Sequence, residues 1–158
     1  MKSDTAEVQS NRMLLVKETC KVKGLLKLKK KPQLFVPIKK IEETEVNWFE
    51  ASAICRTMNG SLASIENERI MEAIDQHLAP EKPADPWWWL SGNDLASEGN
   101  FVWANTGQPM NYTLWSTGQP NHFKDNEHCV NLWVSGGLFT MNDLDCKRHN
   151  FFICERDY

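Results

Sequence analysis

The cysteines are the feature that most constrains how this chain of 158 residues can fold. Four of the five, Cys55, Cys129, Cys146 and Cys154, lie in its C-terminal three-quarters. No two cysteines are spaced as Cys-x-x-Cys, which argues against a zinc ribbon or a thioredoxin-type redox site. The four can form two disulfides, and this indicates an oxidising compartment.

Charge divides the chain into two parts. Residues 1–40 carry eleven basic and three acidic side chains, whereas residues 41–158 carry seven basic and eighteen acidic ones. We interpret residues 1–40 as a basic leader that is disordered or not the natural N-terminus; a patch for membranes or acidic polymers is the alternative. Residues 41–158 have the length of one ordinary domain. Their acidic character is not typical of nucleic-acid binding and suits a hard cation.

The N-terminal segment does not resemble a secretion signal. Residues 1–20 lack the run of roughly 7–15 apolar residues that such signals contain, and no stretch approaches the roughly 20 of a membrane span. Either the natural N-terminus differs or the protein leaves the cell by another route, and we favour the first. Cys20 is the odd cysteine, and we expect it to be free or to join two chains into a homo-oligomer.

Helix signals dominate the first part of the domain. Asn47 and Glu50 have the spacing of a capping box, and Ser64 is the predicted N-cap of a second helix. The predicted elements are a strand over residues 41–46, a helix over 48–58 and a helix over 65–78.

Short strands and long loops follow. Gly136-Gly137 has the composition of a hairpin turn. Strands are predicted over residues 87–90, 101–103, 129–134, 138–141 and 151–154. Residues 104–126 show little periodicity, and a loop of this length inside a compact domain is usually functional.

Oxygen-bearing side chains cluster around this loop. Calcium takes six to eight oxygen ligands, usually from loops. Gln119 and Asn121 can direct both side-chain oxygens to one ion if the chain turns sharply, as a cis bond before Pro120 would allow. Glu127 follows in the same loop, and Asn142-Asp143 precedes Cys146. The combination predicts a calcium site.

These residues form part of an ordered set of motifs that resembles the C-type lectin domain, especially the secreted single-domain lectins of insects. The matching motifs are Asn47-Trp48-Phe49-Glu50-Ala51, Cys55, Leu62-Ala63-Ser64-Ile65-Glu66, Trp89-Leu90-Ser91-Gly92, Gly118-Gln119-Pro120-Asn121, Glu127-His128-Cys129, Asn142-Asp143, Cys146 and Phe152-Ile153-Cys154-Glu155. The resemblance covers about three-quarters of the chain and none of residues 1–40.

The resemblance implies an α+β fold, in which two helices pack on short antiparallel strands beside a long irregular binding loop. It implies the disulfides Cys55–Cys154 and Cys129–Cys146. It also implies a secreted lectin that binds microbial or self carbohydrate through calcium, with sugar hydroxyls completing the coordination shell. The implied ligands of both calcium and sugar are Gln119, Asn121, Glu127, Asn142 and Asp143.

The binding loop departs from the family pattern. The family usually has Glu-Pro-Asn, associated with mannose-type sugars, or Gln-Pro-Asp, associated with galactose-type sugars, whereas this chain has Gln119-Pro120-Asn121. Two amides can both donate, so the usual asymmetry of donor and acceptor is lost. The site also carries two carboxylates in place of three. We expect weaker calcium affinity than in a typical member of the family, and the choice between mannose- or fucose-type and galactose-type sugars stays open.

An auxiliary calcium site found in part of the family is depleted in this sequence. Asp94, Glu98 and Glu127 stand at matching positions. His122 and His128 replace residues that are often acidic.

Two other classes of function are alternatives to a calcium-dependent lectin. The chain has no Gly-x-Ser-x-Gly or His-Glu-x-x-His motif, so we expect no enzyme. The stronger rival is a calcium-independent lectin-like domain that recognises a protein or another surface ligand. Such a domain is expected to have lost several calcium ligands, whereas all five positions here keep an oxygen-bearing side chain. That retention favours the calcium-dependent lectin.

Overall fold

The protein is described by a computed structural model that covers residues 33–35, 45–84 and 86–156. It is an α+β fold, as predicted. The elements are β1 (Gln33–Phe35), α1 (Trp48–Thr57), β2 (Ser61–Leu62), α2 (Glu68–Leu78), β3 (Trp88–Asn93), β4 (Val102–Trp103), β5 (Cys129–Ser135), β6 (Leu138–Leu144), β7 (Phe151–Phe152) and β8 (Cys154–Arg156), with 3-10 helices at Ala79–Ala84 and Phe123–Asp125. Within the described ranges, no helix combines the length and apolar character needed to cross a membrane.

Helix α1 begins at the predicted capping box. The Asn47 side chain accepts the Glu50 N–H, and the Glu50 carboxylate accepts the Asn47 N–H. The helix ends at Thr57, one residue before the predicted end, and its buried face carries Trp48 and Cys55. The capping-box prediction is confirmed because both partners lie within one turn, where sequence alone fixes their separation.

The predicted start of the second helix was wrong. Helix α2 begins at Glu68 with Asn67 as its cap, whose side chain accepts the Ile70 N–H. Ser64 is buried instead, and its hydroxyl lies 2.7 Å from Asn105 Oδ1 while its N–H donates to Glu155. Ser64 therefore serves the core and is not available as a helix cap.

Two sheets organise the strands. The smaller has the order β1-β8-β2, and the larger has the order β4-β3-β5-β6 with β7 parallel to β3. The β5–β6 hairpin turns at Gly136 and Gly137, which have φ of +61° and +80°, so the predicted turn is confirmed. Strand β6 continues three residues beyond its predicted end, which places Asn142 and Asp143 inside the sheet.

The N-terminal part of the chain contributes one described strand. β1 pairs antiparallel with β8 and lies inside the segment interpreted as a leader. Of the strand predicted over residues 41–46, Val46 forms only an isolated bridge with Asn150, Glu45 is in no strand, and residues 41–44 lie outside the described residues. Cys20 lies outside them too, and the domain boundary at residue 41 stays a prediction.

Both implied disulfides are present. Cys55 is bonded to Cys154 and Cys129 to Cys146. They belong to a buried cluster with Trp48 and Trp89, and a second apolar cluster fills the space between α2 and the larger sheet. The two clusters thereby fix the larger sheet on both sides. The open end of the β5–β6 hairpin, opposite its turn, supports the binding loop.

Candidate functional site

The segment that leads into the binding loop lies against β6. Met141 N–H donates to the Leu114 carbonyl at 2.7 Å, and Ser116 N–H donates to the Met141 carbonyl at 2.9 Å. A turn follows in which Gln119 N–H donates to the Ser116 carbonyl, and Gly118 takes the positive φ that such a turn needs. The Gln119–Pro120 peptide bond is cis, the geometry suggested by the sequence. The loop thus leaves the sheet at a defined point.

The carboxylate of Asp143 holds the tip of this loop. It is 1% exposed, and its two oxygens lie 3.0 and 3.1 Å from the Asn121 nitrogen. His122 N–H also donates to it, at 2.8 Å. A carboxylate offers about four lone-pair sites, so Asp143 keeps acceptor capacity for a cation after binding both N–H groups.

The side chain of Glu127 contacts the same loop. Its carboxylate accepts the Phe123 N–H at 3.1 Å. Burial raises the pKa of Glu127, and the nearby negative charge of Asp143 raises this pKa further. A carboxylate whose ionisation is disfavoured by burial and by a neighbouring negative charge is stabilised by a cation.

The three amide residues predicted as ligands differ in their surroundings. Gln119 Oε1 is buried and has no hydrogen-bond partner among the described residues. Asn142 is buried in β6, where its Nδ2 donates to Asn131 Oδ1 at 3.0 Å. That bond occupies the amide nitrogen and leaves the role of acceptor to the Asn142 oxygen. Asn121 is exposed at the rim.

These surroundings fit calcium. A buried carbonyl oxygen without a partner costs about 1–3 kcal/mol, and a cation bound to Gln119 would recover that energy. The structure brings Asn121, Glu127 and Asp143 together through one loop and its support. The ligand roles of all five predicted residues remain proposals.

The residues predicted for the auxiliary calcium site lie beside the binding loop. Asp94 Oδ1 lies 3.0 Å from His128 Nδ1, and Glu98 Oε2 lies 3.0 Å from His122 Nδ1 and 3.3 Å from His128 Nδ1. Glu127 contributes its backbone carbonyl, which lies 3.2 Å from His122 Nδ1. Its side chain instead accepts the Phe123 N–H in the binding loop. This carbonyl contact raises the pKa of His122, and Glu98 adds to the rise.

Comparison with known proteins decides the family. The profile of the Lectin C-type domain matches residues 44–156. The chain belongs to the C-type lectin domain family. C-type lectin 37Db of Drosophila melanogaster is 38% identical over 115 residues, which are 73% of this chain and 74% of that protein. Salivary C-type lectin 1 of Aedes albopictus is 33% identical over 116 residues, which are 70% and 76% of the two chains.

Solved structures agree on the fold. The C-type lectin domain of murine dendritic cell inhibitory receptor 2, crystallised with an N-glycan, superposes with a TM-score of 0.67 at 22% identity, covering 80% of this chain and 91% of that one. The family profile and the two insect relatives confirm the resemblance to insect C-type lectins. This family is a non-enzymatic, carbohydrate-binding one, and membership confirms the prediction that the chain is not an enzyme.

Sequence reasoning missed one supporting residue of the lectin domain. Asn131 is fully buried in β5, directly opposite Asn142, and orients its amide. A polar residue between Val130 and Leu132 is an irregularity in an otherwise apolar run. That interruption was the available signal, but it becomes meaningful only once the register of β5 and β6 is known.

Proposed function

We propose that this C-type lectin is secreted and binds carbohydrate through calcium, with two sugar hydroxyls completing the coordination shell. The proposed ligands are Gln119, Asn121, Glu127, Asn142 and Asp143. The observation that carries the proposal is the buried Gln119 Oε1, which has no partner within the described ranges. Two buried disulfides support the assignment to an oxidising, extracellular compartment.

The proposed ligands differ in charge and in burial, and so in what each contributes to the site. Asp143 and Glu127 supply the negative charge, and Asp143 supplies it from inside the sheet. Asn121 is exposed, so its amide is accessible to a ligand in solution. A calcium ion between the buried carboxylate and the exposed amide would bring its open coordination positions to the surface, where sugar hydroxyls can replace water.

The chemistry of the two loop amides bears on sugar choice. Each amide has one accepting oxygen and one donating nitrogen, so neither Gln119 nor Asn121 imposes the fixed acceptor that a carboxylate would. We therefore propose weak discrimination between mannose- or fucose-type and galactose-type sugars. Recognition of microbial or self glycans is the biological role that this broad choice would serve.

A glycan array tests the proposal when it is run once with calcium and once with a chelator. Binding that requires calcium supports the proposal. Equal binding under both conditions would favour the calcium-independent alternative, and binding under neither would reject lectin activity towards those glycans. Asn121→Ala should abolish the signal, whereas Asn126→Ala, an exposed asparagine in the same loop, is the matched control and should retain it.

A further inference from the structure

Four side chains converge beside the binding loop and form what we call the histidine cluster: Asp94, Glu98, His122 and His128. The ligand atoms of Glu98, His122 and His128 all lie within 4.8 Å of one another. Asp94 joins them through its 3.0 Å contact with His128. None of the four is among the residues proposed to bind the main calcium ion.

We propose that the histidine cluster is a zinc site. Zinc is usually held by four nitrogen, oxygen or sulfur ligands in a tetrahedron, at roughly 2.0–2.2 Å for nitrogen and oxygen. The edge of such a tetrahedron is about 3.4 Å. The nitrogen-to-oxygen distances from Glu98 to the two imidazoles are 3.0 and 3.3 Å, so small outward movements of these three side chains would accommodate the ion. Asp94 lies 3.0 Å from His128 and is the fourth proposed ligand.

The ligand types favour zinc over calcium. Calcium takes oxygen ligands, and the cluster offers two imidazole nitrogens at its centre. Imidazole suits zinc and its transition-metal neighbours. Two carboxylates and two neutral imidazoles carry a charge of −2, which a divalent zinc ion neutralises. The substitutions that weaken an auxiliary calcium site thus produce a site for a different metal.

One carboxylate of the cluster, that of Asp94, is already held in place. Asp94 is 1% exposed, its Oδ2 accepts the Gly99 N–H at 2.7 Å, and its own N–H donates to the His128 carbonyl at 3.1 Å. Such supporting bonds orient metal ligands before the ion arrives. His122 and His128 are half-buried, so the cluster remains accessible to an ion from solution.

The same distances also fit hydrogen bonds from the imidazoles to the carboxylates, and a zinc titration separates the two possibilities. Isothermal titration with zinc chloride uses the full chain without an affinity tag, in a Cys20→Ser background so that no free thiol at that position binds the metal. Calcium and sugar are omitted, so the result does not depend on the proposed lectin function. We expect one zinc ion per chain.

Matched variants locate the ion. His122→Ala/His128→Ala should weaken zinc binding by at least about 100-fold, because loss of a supporting partner alone costs about 10–100-fold. His77→Ala/His149→Ala removes two exposed histidines elsewhere and should leave the affinity unchanged. Cobalt should give the strong visible absorption of a tetrahedral ion in the wild type and in this control.

A reciprocal variant keeps the test informative if the alanine variant is unstable. His122→Asp/His128→Asp makes the cluster all oxygen, and it should lose zinc while gaining a second calcium ion. Near-ultraviolet circular dichroism confirms that each variant is folded. No zinc binding by the wild type, equal loss in both alanine variants, or a weak octahedral cobalt spectrum would each overturn the proposal.

Discussion

The carboxylate of Asp143 accepts the backbone N–H of Asn121 through both of its oxygens, at 3.0 and 3.1 Å. This contact joins the end of β6 to the tip of the binding loop, 22 residues away in sequence. The adjoining N–H of His122 bonds to the same carboxylate. One buried side chain therefore positions one residue of each proposed metal site, Asn121 and His122.

Asp143→Asn should weaken calcium binding by at least about tenfold, or about 1.4 kcal/mol. The amide has one accepting oxygen where the carboxylate had two, so it cannot serve both the loop N–H groups and an ion. Isothermal titration with calcium measures the loss. Asp125→Asn makes the same charge change on a side chain that is 99% exposed, and its affinity should match the wild type.

Single changes in the Gln119-Pro120-Asn121 loop should shift sugar preference in opposite directions. Gln119→Glu creates the mannose-type arrangement and Asn121→Asp the galactose-type one. Each adds a carboxylate, so each should also tighten calcium binding, by about tenfold. Titration of each variant with mannose and with galactose gives the preference. Identical sugar profiles in the two variants would show that these amides do not contact the sugar.

Calcium affinity should fall with acidification. The pKa of Glu127 is raised by burial and then by Asp143, so ionisation of this carboxyl is less favourable in the metal-free fold than in the unfolded chain. In the metal-free protein, the stability from this group is present at low pH and is lost as pH rises through the raised pKa. Calcium requires the ionised form, so its affinity should rise across that same range.

Titrations from about pH 7 down to about pH 5 should show this loss. Glu127→Gln removes the carboxyl group that titrates. The residual calcium affinity of this variant should therefore be weaker and should depend less on pH. In the presence of a chelator, the variant should also gain stability relative to the wild type as pH rises. A wild-type affinity that does not change with pH would contradict the assignment of Glu127 as a ligand.

Sequence predictions that depend on contacts within one turn are correct. The predicted start of the second helix is wrong because a contact between residues distant in sequence determines it. Asn47 and Glu50 form their capping box within one turn, so sequence separation was sufficient. Ser64 and Asn67 are both good caps in local terms. What separates them is a contact between Ser64 and Glu155, 91 residues away, and no local pattern contains it.

The candidate site shows the same difference between what local sequence predicts and what long-range contacts determine. The motif order predicts the loop residues and Asp143 as ligands, because spacing between fixed cysteines is a sequence property, and their ligand roles stay a prediction. His122 and His128 could be interpreted only as replacements for acids. Their convergence with Glu98 depends on how the loop folds back on the end of β3, which brings the two imidazole rings to 4.9 Å.

Phe123 is expected to contact sugar directly. It is 59% exposed and follows the proposed ligands in the loop. An aromatic ring can pack on the apolar face of a sugar, so Phe123→Ala should weaken glycan binding by about 1 kcal/mol. Alanine keeps the backbone N–H that donates to Glu127, so calcium affinity should not change. Phe49→Ala, which removes a ring that is 51% exposed on α1, is the control and should bind glycans normally.

The two disulfides should have separable effects on stability and binding. Cys129 and Cys146 close a loop of 17 residues, and Cys55 and Cys154 are 99 residues apart. In the chain-entropy treatment, removing the first with paired alanines costs about 3 kcal/mol of unfolding free energy, and removing the second costs about 4.7 kcal/mol. Urea denaturation at low temperature, with a chelator present, measures both losses.

Calcium affinity should show the reverse order. Cys129 follows Glu127 by two residues and Cys146 follows Asp143 by three, so their bond holds the segments of the two acidic ligands together. Cys55–Cys154 instead joins α1 to β8, and neither element carries a proposed ligand. Cys129→Ala/Cys146→Ala should therefore weaken calcium binding in the folded protein, whereas Cys55→Ala/Cys154→Ala should cost more stability and leave calcium affinity unchanged. Equal calcium affinities in the two folded variants would show that the loop and β6 keep the site assembled without the shorter disulfide.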